Sequence, residues 1–140
     1  MKTFIDTDLA IAFLSEKSTP RGKKAKNVMK QIFEQNIHIY LTTFNYAELL
    51  RGAYISSKVA ANIRIVEEFV SRFTIVDFSR DALKFYAQIY AELKQQGLGI
   101  GDFDELIASV VIANDGKILT NNVDHFHRIN LLEYQNWMEY

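Results

Sequence analysis

The chain has 140 residues, 49% hydrophobic and 24% charged, with 16 basic against 17 acidic: the length of one domain with a full core and an ordinary globular composition that excludes wholesale disorder. The absence of cysteine removes disulfides, thiol nucleophiles and thiolate metal sites together, so any metal would be held by oxygen or imidazole, and the near-neutral balance does not advertise nucleic-acid binding. No apolar run approaches the roughly 20 residues of a membrane span, and Asp6 interrupts the first apolar stretch before a signal-peptide core can form, so a cytoplasmic protein is expected.

Residues 2–5 read as a strand, and Asp6-Thr7-Asp8 follows where the chain turns into an apolar helix over 9–14. Asp6 thus stands at a strand's carboxyl end, the edge where open parallel sheets place functional groups. An Asp before a helix is commonly an N-cap, and one of Asp6 and Asp8 is assigned that role. Residues 15–30 carry Lys17, Arg21, Lys23, Lys24, Lys26 and Lys30 against Glu16 alone. Two readings stand for this segment, a solvated helix face and a phosphate-contacting surface.

Residues 37–41 alternate and are β-branched, which predicts a second strand, with Thr42-Thr43 opening the next helix. In that helix Tyr46, Leu49, Leu50 and Ala53 form the buried stripe, and Glu48 points elsewhere with Phe44, Arg51 and Gly52. Periodicity alone makes Glu48 a surface residue paired with Arg51. A helix over 59–72, a third strand over 73–77 and a helix over 81–96 capped by Ser79 come next. The last has apolar residues on more than one face, including Leu83, Phe85, Ile89, Tyr90 and Leu93, which fits either a subunit interface or a centrally packed helix. After a loop at 97–101, a helix of about a dozen residues runs to near 115–116, followed by a fourth strand at 117–120. Residues 121–126 are a polar strand-end loop, and the tail holding Leu131, Leu132, Tyr134 and Trp137 supplies an edge strand. Helices alternating with strands predict a parallel sheet with helices on both faces, in a single domain spanning 1–140.

Three carboxylates crowd into Asp102-Phe103-Asp104-Glu105 ahead of a very apolar helix. Asp102 and Asp104 lie about 200° apart around a helix, so they cannot aim at one site. Asp102 with Glu105 has the spacing of a capping box; Asp104 shares its face with Ile107, Ala108 and Val111. Taken alone, Asp104 is an acid favoured by the helix dipole. The placements of Asp6, Glu48, Asp104 and the Asn/Asp loop at strand ends suggest more, because parallel strands gather such positions. Two carboxylates about 4 Å apart repel by roughly 4 kcal/mol at an effective dielectric of about 20, so a gathering of them requires protons or a cation. Mg²⁺, or Mn²⁺, suits an all-oxygen site.

The chain resembles PIN-domain ribonucleases, and more narrowly the VapC-like toxins of toxin–antitoxin pairs. The resemblance lies in Phe4-Ile5-Asp6-Thr7, Ala47-Glu48-Leu49-Leu50-Arg51-Gly52-Ala53, the stretch from Gly101 to Ala108, and Leu119-Thr120-Asn121-Asn122 with Phe126, in that order and spacing. It implies a PIN-like three-layer α/β sandwich with a central, mostly parallel sheet of four to five strands. By the same resemblance Asp6, Glu48 and Asp104 match the carboxylates that hold metal and support phosphodiester cleavage, and Asp8 stands where the family commonly has Asn or Ser, as an extra acid beside them. Relatives often carry an acid immediately before the last loop's Phe, where this chain has His125. Either Asp124 serves from a shifted loop, the preferred reading, or Asn122 hydrogen-bonds a metal water in its place. His125-x-His127 has the look of a zinc pair, but ordinary loop histidines are favoured. The implied function is a Mg²⁺-dependent endoribonuclease, a homodimeric toxin with a cognate antitoxin, cutting RNA such as tRNA. The alternatives are a non-catalytic RNA- or protein-binding module and a metal-dependent nuclease of RNA processing or DNA outside any toxin system.

Overall fold

The computed structural model describes residues 1–140. Its strands are β1 (Lys2–Ile5), β2 (Ile39–Thr42), β3 (Thr74–Val76), β4 (Gly116–Thr120) and β5 (Glu133–Asn136). They form one sheet in the order β3-β2-β1-β4-β5, and every adjacent pair is parallel. The tail does supply the edge strand, and the sheet is wholly rather than mostly parallel. The helices are α1 (Thr7–Leu14), α2 (Pro20–Glu34), α3 (Thr43–Tyr54), α4 (Val59–Val70), α5 (Arg80–Gln96), α6 (Asp102–Ala113) and the single turn α7 (Val123–Phe126). No helix is long and apolar enough to cross a membrane.

Successive strand residues face opposite sides of the sheet, which splits the core in two. Phe4 and Ile118 pack with Ile89, Leu93, Ile107, Val111 and Phe126 on one side. Ile5, Leu41 and Leu119 pack with Leu9, Val28, Met29, Leu49 and Trp137 on the other. Each fully buried large apolar side chain contributes about 1.5–3 kcal/mol, so the two faces together hold the layers. Gly116 fixes the β1–β4 contact, since a Cβ there would stand 2.6 Å from the Phe4 ring.

The chain runs outward from β1 through β2 to β3, then crosses to β4 and β5 on the other flank. This reversal makes a crevice at the carboxyl ends of β1 and β4, the place where open α/β sheets bind ligands. Asp6 and Thr120 end or follow those two strands.

Several local expectations shift. β2 begins at Ile39 rather than 37, because the Ile37 N–H closes onto the Ile32 carbonyl as α2 ends. The loop after β4 contains α7, whose Phe126 N–H bonds the Asn122 carbonyl. Ser79 does cap α5, accepting from the Ala82 N–H at 3.3 Å, while Leu83 and Tyr90 on α5 remain exposed. In the basic segment, Arg21 lies over the Trp137 ring, Lys24 donates to the Tyr140 carbonyl and Lys26 to the Ser15 carbonyl. Those three cations are therefore engaged within the protein.

The anticipated capping box at α6 does not form. The N-cap is Gly101 at φ +100°, with no side-chain cap, a backbone conformation open mainly to glycine. The helix therefore starts one residue earlier than the Asp102–Glu105 spacing requires. Asp102 instead accepts from the Tyr86 hydroxyl at 3.2 Å, and Glu105 is buried with Oε2 accepting from the Ile100 N–H at 3.3 Å.

Candidate active site

Asp6 is buried at the end of β1, where its N–H still bonds the Leu119 carbonyl across the sheet. It is itself the N-cap of α1: Oδ1 accepts from the Thr7 N–H at 2.9 Å. One of the two acids does cap α1, and it is Asp6, the residue at the crevice. Oδ1 of Asp6 further accepts from Asn45 Nδ2 at 3.3 Å and Oδ2 from the Thr120 hydroxyl at 2.7 Å. Asp8, two residues on, accepts from the Asn121 N–H at 2.8 Å and from Trp137 Nε1 at 3.1 Å.

Asn45 organises this end of the crevice. It is fully buried in the first turn of α3, where Thr42, the N-cap, accepts from its N–H and donates to its Oδ1. Its Nδ2 reaches both Asp6 and the Thr7 hydroxyl, the latter at 3.0 Å. That hydroxyl donates in turn to Glu48 Oε1 at 2.7 Å. Glu48 therefore does turn from the buried stripe of α3, but toward α1 rather than into solvent; its side chain is 20% exposed and Arg51 stands 3.7 Å away.

Asp104 projects from the first turn of α6, also 20% exposed, while Ile107, Ala108 and Val111 on its face are fully buried. Its Oδ2 lies 2.7 Å from His125 Nδ1 and accepts from Asn122 Nδ2 at 3.2 Å. The Asn122 N–H bonds the Thr120 hydroxyl at 2.9 Å, which connects Asp104 through Asn122 and Thr120 to Asp6.

The electrostatics bind these acids into one set. Burial, then the charge of Asp8 and more weakly that of Asp104, lift Asp6 from 3.8 to about 8, against the opposing hydrogen bonds of Thr120 and Thr7. Glu48 is raised by burial and by Asp104 and Asp8, with Thr7 and Arg51 pulling the other way. Asp8 is raised by its burial, offset by Asn121, Trp137 and Arg21. Carboxyls that raise one another's affinity for protons form a site that favours added positive charge.

Asp104 is thus within electrostatic reach of both Asp6 and Glu48 at the switch-point crevice. As they stand, no three His, Asp or Glu side chains converge closely enough to hold an ion, each being engaged by protein donors. The chemistry of the donor set fits a hard divalent cation: anionic oxygens, no sulfur and a mutual excess of negative charge. Asp124 is not brought to this set. It is exposed on α7 and makes no hydrogen bond or ion pair, while His125 and Asn122 take the place beside Asp104. His127 bonds the Val123 carbonyl at 2.8 Å, so the two histidines share no site. Sequence reasoning missed Asn45, Thr7 and Thr120 as organisers; the only signal for Asn45 was its place three residues after a helix-capping Thr.

A family model described as PIN domain matches residues 3–131. The chain is 37% identical over 107 residues to Ribonuclease VapC2 of Rickettsia felis, covering 76% of this chain and 80% of that protein. It is 28% identical over 137 residues to the tRNA(fMet)-specific endonuclease VapC of Shigella flexneri, covering 98% of each. Among solved structures, VapBC2 from Rickettsia felis bound to a DNA fragment from their promoter aligns with a TM-score of 0.85 at 32% identity, over 98% of this chain and 99% of that one.

Proposed function

The chain belongs to the PIN-domain family, and from that premise we propose that residues 1–140 form one domain acting as a divalent-metal-dependent endoribonuclease, the toxin of a toxin–antitoxin pair. The ribonuclease names of its relatives support the activity, and the VapBC complexes that share its fold support the toxin role. The observation that supports the reading is the placement of Asp6, Glu48 and Asp104, from three separate elements, around one crevice, where burial and the charge of Asp104 and Asp8 raise Asp6 and Glu48.

Asp6, Glu48 and Asp104 are the residues that would hold the cation, Mg²⁺ or Mn²⁺. When bound, a divalent cation supplies Lewis-acid chemistry, making a water nucleophilic near neutral pH and offsetting charge that develops on phosphate oxygens. The chain's own work is positioning. Thr7 ties Asp6 to Glu48, Asn45 and Thr120 fix both oxygens of Asp6, and His125 with Asn122 fixes one oxygen of Asp104, leaving Oδ1 without a protein partner. These contacts hold the acids around the crevice, and closing on a cation would draw them nearer to one another. The substrate is RNA, with tRNA suggested by the Shigella relative.

A groove of about 710 Å³ lies between α1, α3 and α4, lined by Ile11, Leu14, Leu49, Ile65 and Val66, and it shares Glu48 with the acid site. Its apolar walls, with Ile11 and Ile65 exposed, suit an amphipathic segment of the cognate antitoxin, which from there would cover the crevice. The test is incubation of purified protein with RNA. Cleavage in Mg²⁺ that stops with EDTA and returns with excess metal is expected; cleavage indifferent to EDTA, or none at all, would refute the proposal.

A further inference from the structure

Phe103 sits between Asp102 and Asp104 on the first turn of α6, and 37% of it is exposed although the ring is wholly apolar. Its inner edge is fixed by Phe44, at a centroid distance of 5.8 Å and 65° between planes, and Phe44 packs edge-on against Phe78. The guanidinium of Arg51 lies 5.5 Å from the Phe103 ring centroid. Arg51 is three residues after Glu48 on α3 and Phe103 one residue before Asp104 on α6, so this contact bridges the two helices that carry those acids. The Arg51 side chain is 65% exposed and only loosely paired with Glu48 at 3.7 Å. A ring face covered by so solvated a planar group is one that another planar group can reach.

Resting on the ribonuclease reading, we infer that Phe103 is a base-stacking residue: an unpaired nucleobase beside the scissile phosphate stacks on its ring, and Arg51 turns from the ring to that strand's phosphate. Aromatic side chains are the usual platforms for unstacked RNA bases, and guanidinium groups serve both stacking and phosphate contact. The Phe44–Phe78 backing holds the platform on the first turn of α6 next to Asp104, and a platform at a set distance from the acids is what selecting one phosphodiester bond demands. Stacking is tolerant of base identity, so Phe103 would set where along an unpaired strand the cut falls rather than which base is read.

The test is binding of a fluorescent single-stranded RNA oligonucleotide in Ca²⁺, together with versions carrying one abasic position moved along the strand. Wild-type protein is expected to lose about 5- to 140-fold in affinity when the abasic position reaches the platform. Phe103→Leu retains apolar packing against Phe44, and its melting temperature checks the fold; it is expected to lose a similar factor on intact RNA and to be indifferent to the abasic position. Phe103→Trp is expected to bind intact RNA at least as well as wild type. If Phe103→Leu binds intact RNA as wild type does, or still loses affinity at the same abasic position, the stacking role is overturned while the ribonuclease reading stands. A wild-type chain that neither binds nor cuts RNA overturns both.

Discussion

Asp6 carries the largest consequence of any single residue. Its carboxyl is raised from 3.8 to about 8, so between those values the unfolded chain ionises it and the folded chain does not. The unfolded state then binds fewer protons, and stability falls as pH rises. The contribution of Asp6 is fully present below about 4 and lost by the time pH passes about 8. A cation that prefers the ionised form opposes this loss, so the gain in Tm on adding Mn²⁺ should grow from pH 5 to pH 8, as thermal denaturation at each pH will show. Asp6→Asn removes the titration: without metal at pH 8 it should melt higher than wild type, and it should no longer respond to Mn²⁺. A wild-type Tm shift that does not change with pH would contradict this assignment. Asn45 is the counterpart among neutral residues. Replacing it with Ala strands buried groups on Thr42, Thr7 and Asp6, at a cost of about 1–3 kcal/mol in urea denaturation, with activity lost alongside because Asp6 and Glu48 share the Thr7 link.

At the scale of elements, α6 decides where Asp104 points, and Gly101 decides where α6 begins. Gly101→Ala places a Cβ on a backbone at φ +100°, a strained conformation costing about 1–3 kcal/mol. It should lower kcat for RNA cleavage more than it raises KM, because it displaces Asp104 rather than the substrate surface; an unchanged kcat would argue against this control of the helix start. The strand-to-helix order, the edge strand and the positions of Asp6 and Asp104 at element ends were all legible from hydrophobic periodicity and polar punctuation. The helix start at Gly101 was not, since a positive φ leaves no mark that separates a capping glycine from a loop glycine. Nor was the side that Glu48 faces: the 3.6-residue period shows that it leaves the α3 stripe, but only the packing of α1 shows that Thr7 waits for it. His125 read as an ordinary loop residue because α7 was unforeseen. One turn of helix carries its ring to Asp104 and leaves Asp124 outside.

Across the whole molecule, the sheet order puts the acids at the switch point, and the apolar groove shares Glu48 with them, so a partner segment filling the groove would lie against the acids. Ile65→Asp, on the α4 wall of the groove, should therefore require more antitoxin for the same inhibition of RNA cleavage, measured by titrating the antitoxin into the wild-type and variant chains. Inhibition at identical antitoxin concentrations would move the partner to another face. The exposed Leu83 and Tyr90 of α5 lie apart from this groove. The central claim is that Asp6, Glu48 and Asp104 hold one divalent cation, and the most direct measurement is a Mn²⁺ titration followed by the electron paramagnetic resonance signal of the free ion. Wild type and Asp102→Asn should take up Mn²⁺ alike, while Asp104→Asn, still folded, should lose most of that uptake; equal uptake by wild type and Asp104→Asn would contradict the claim.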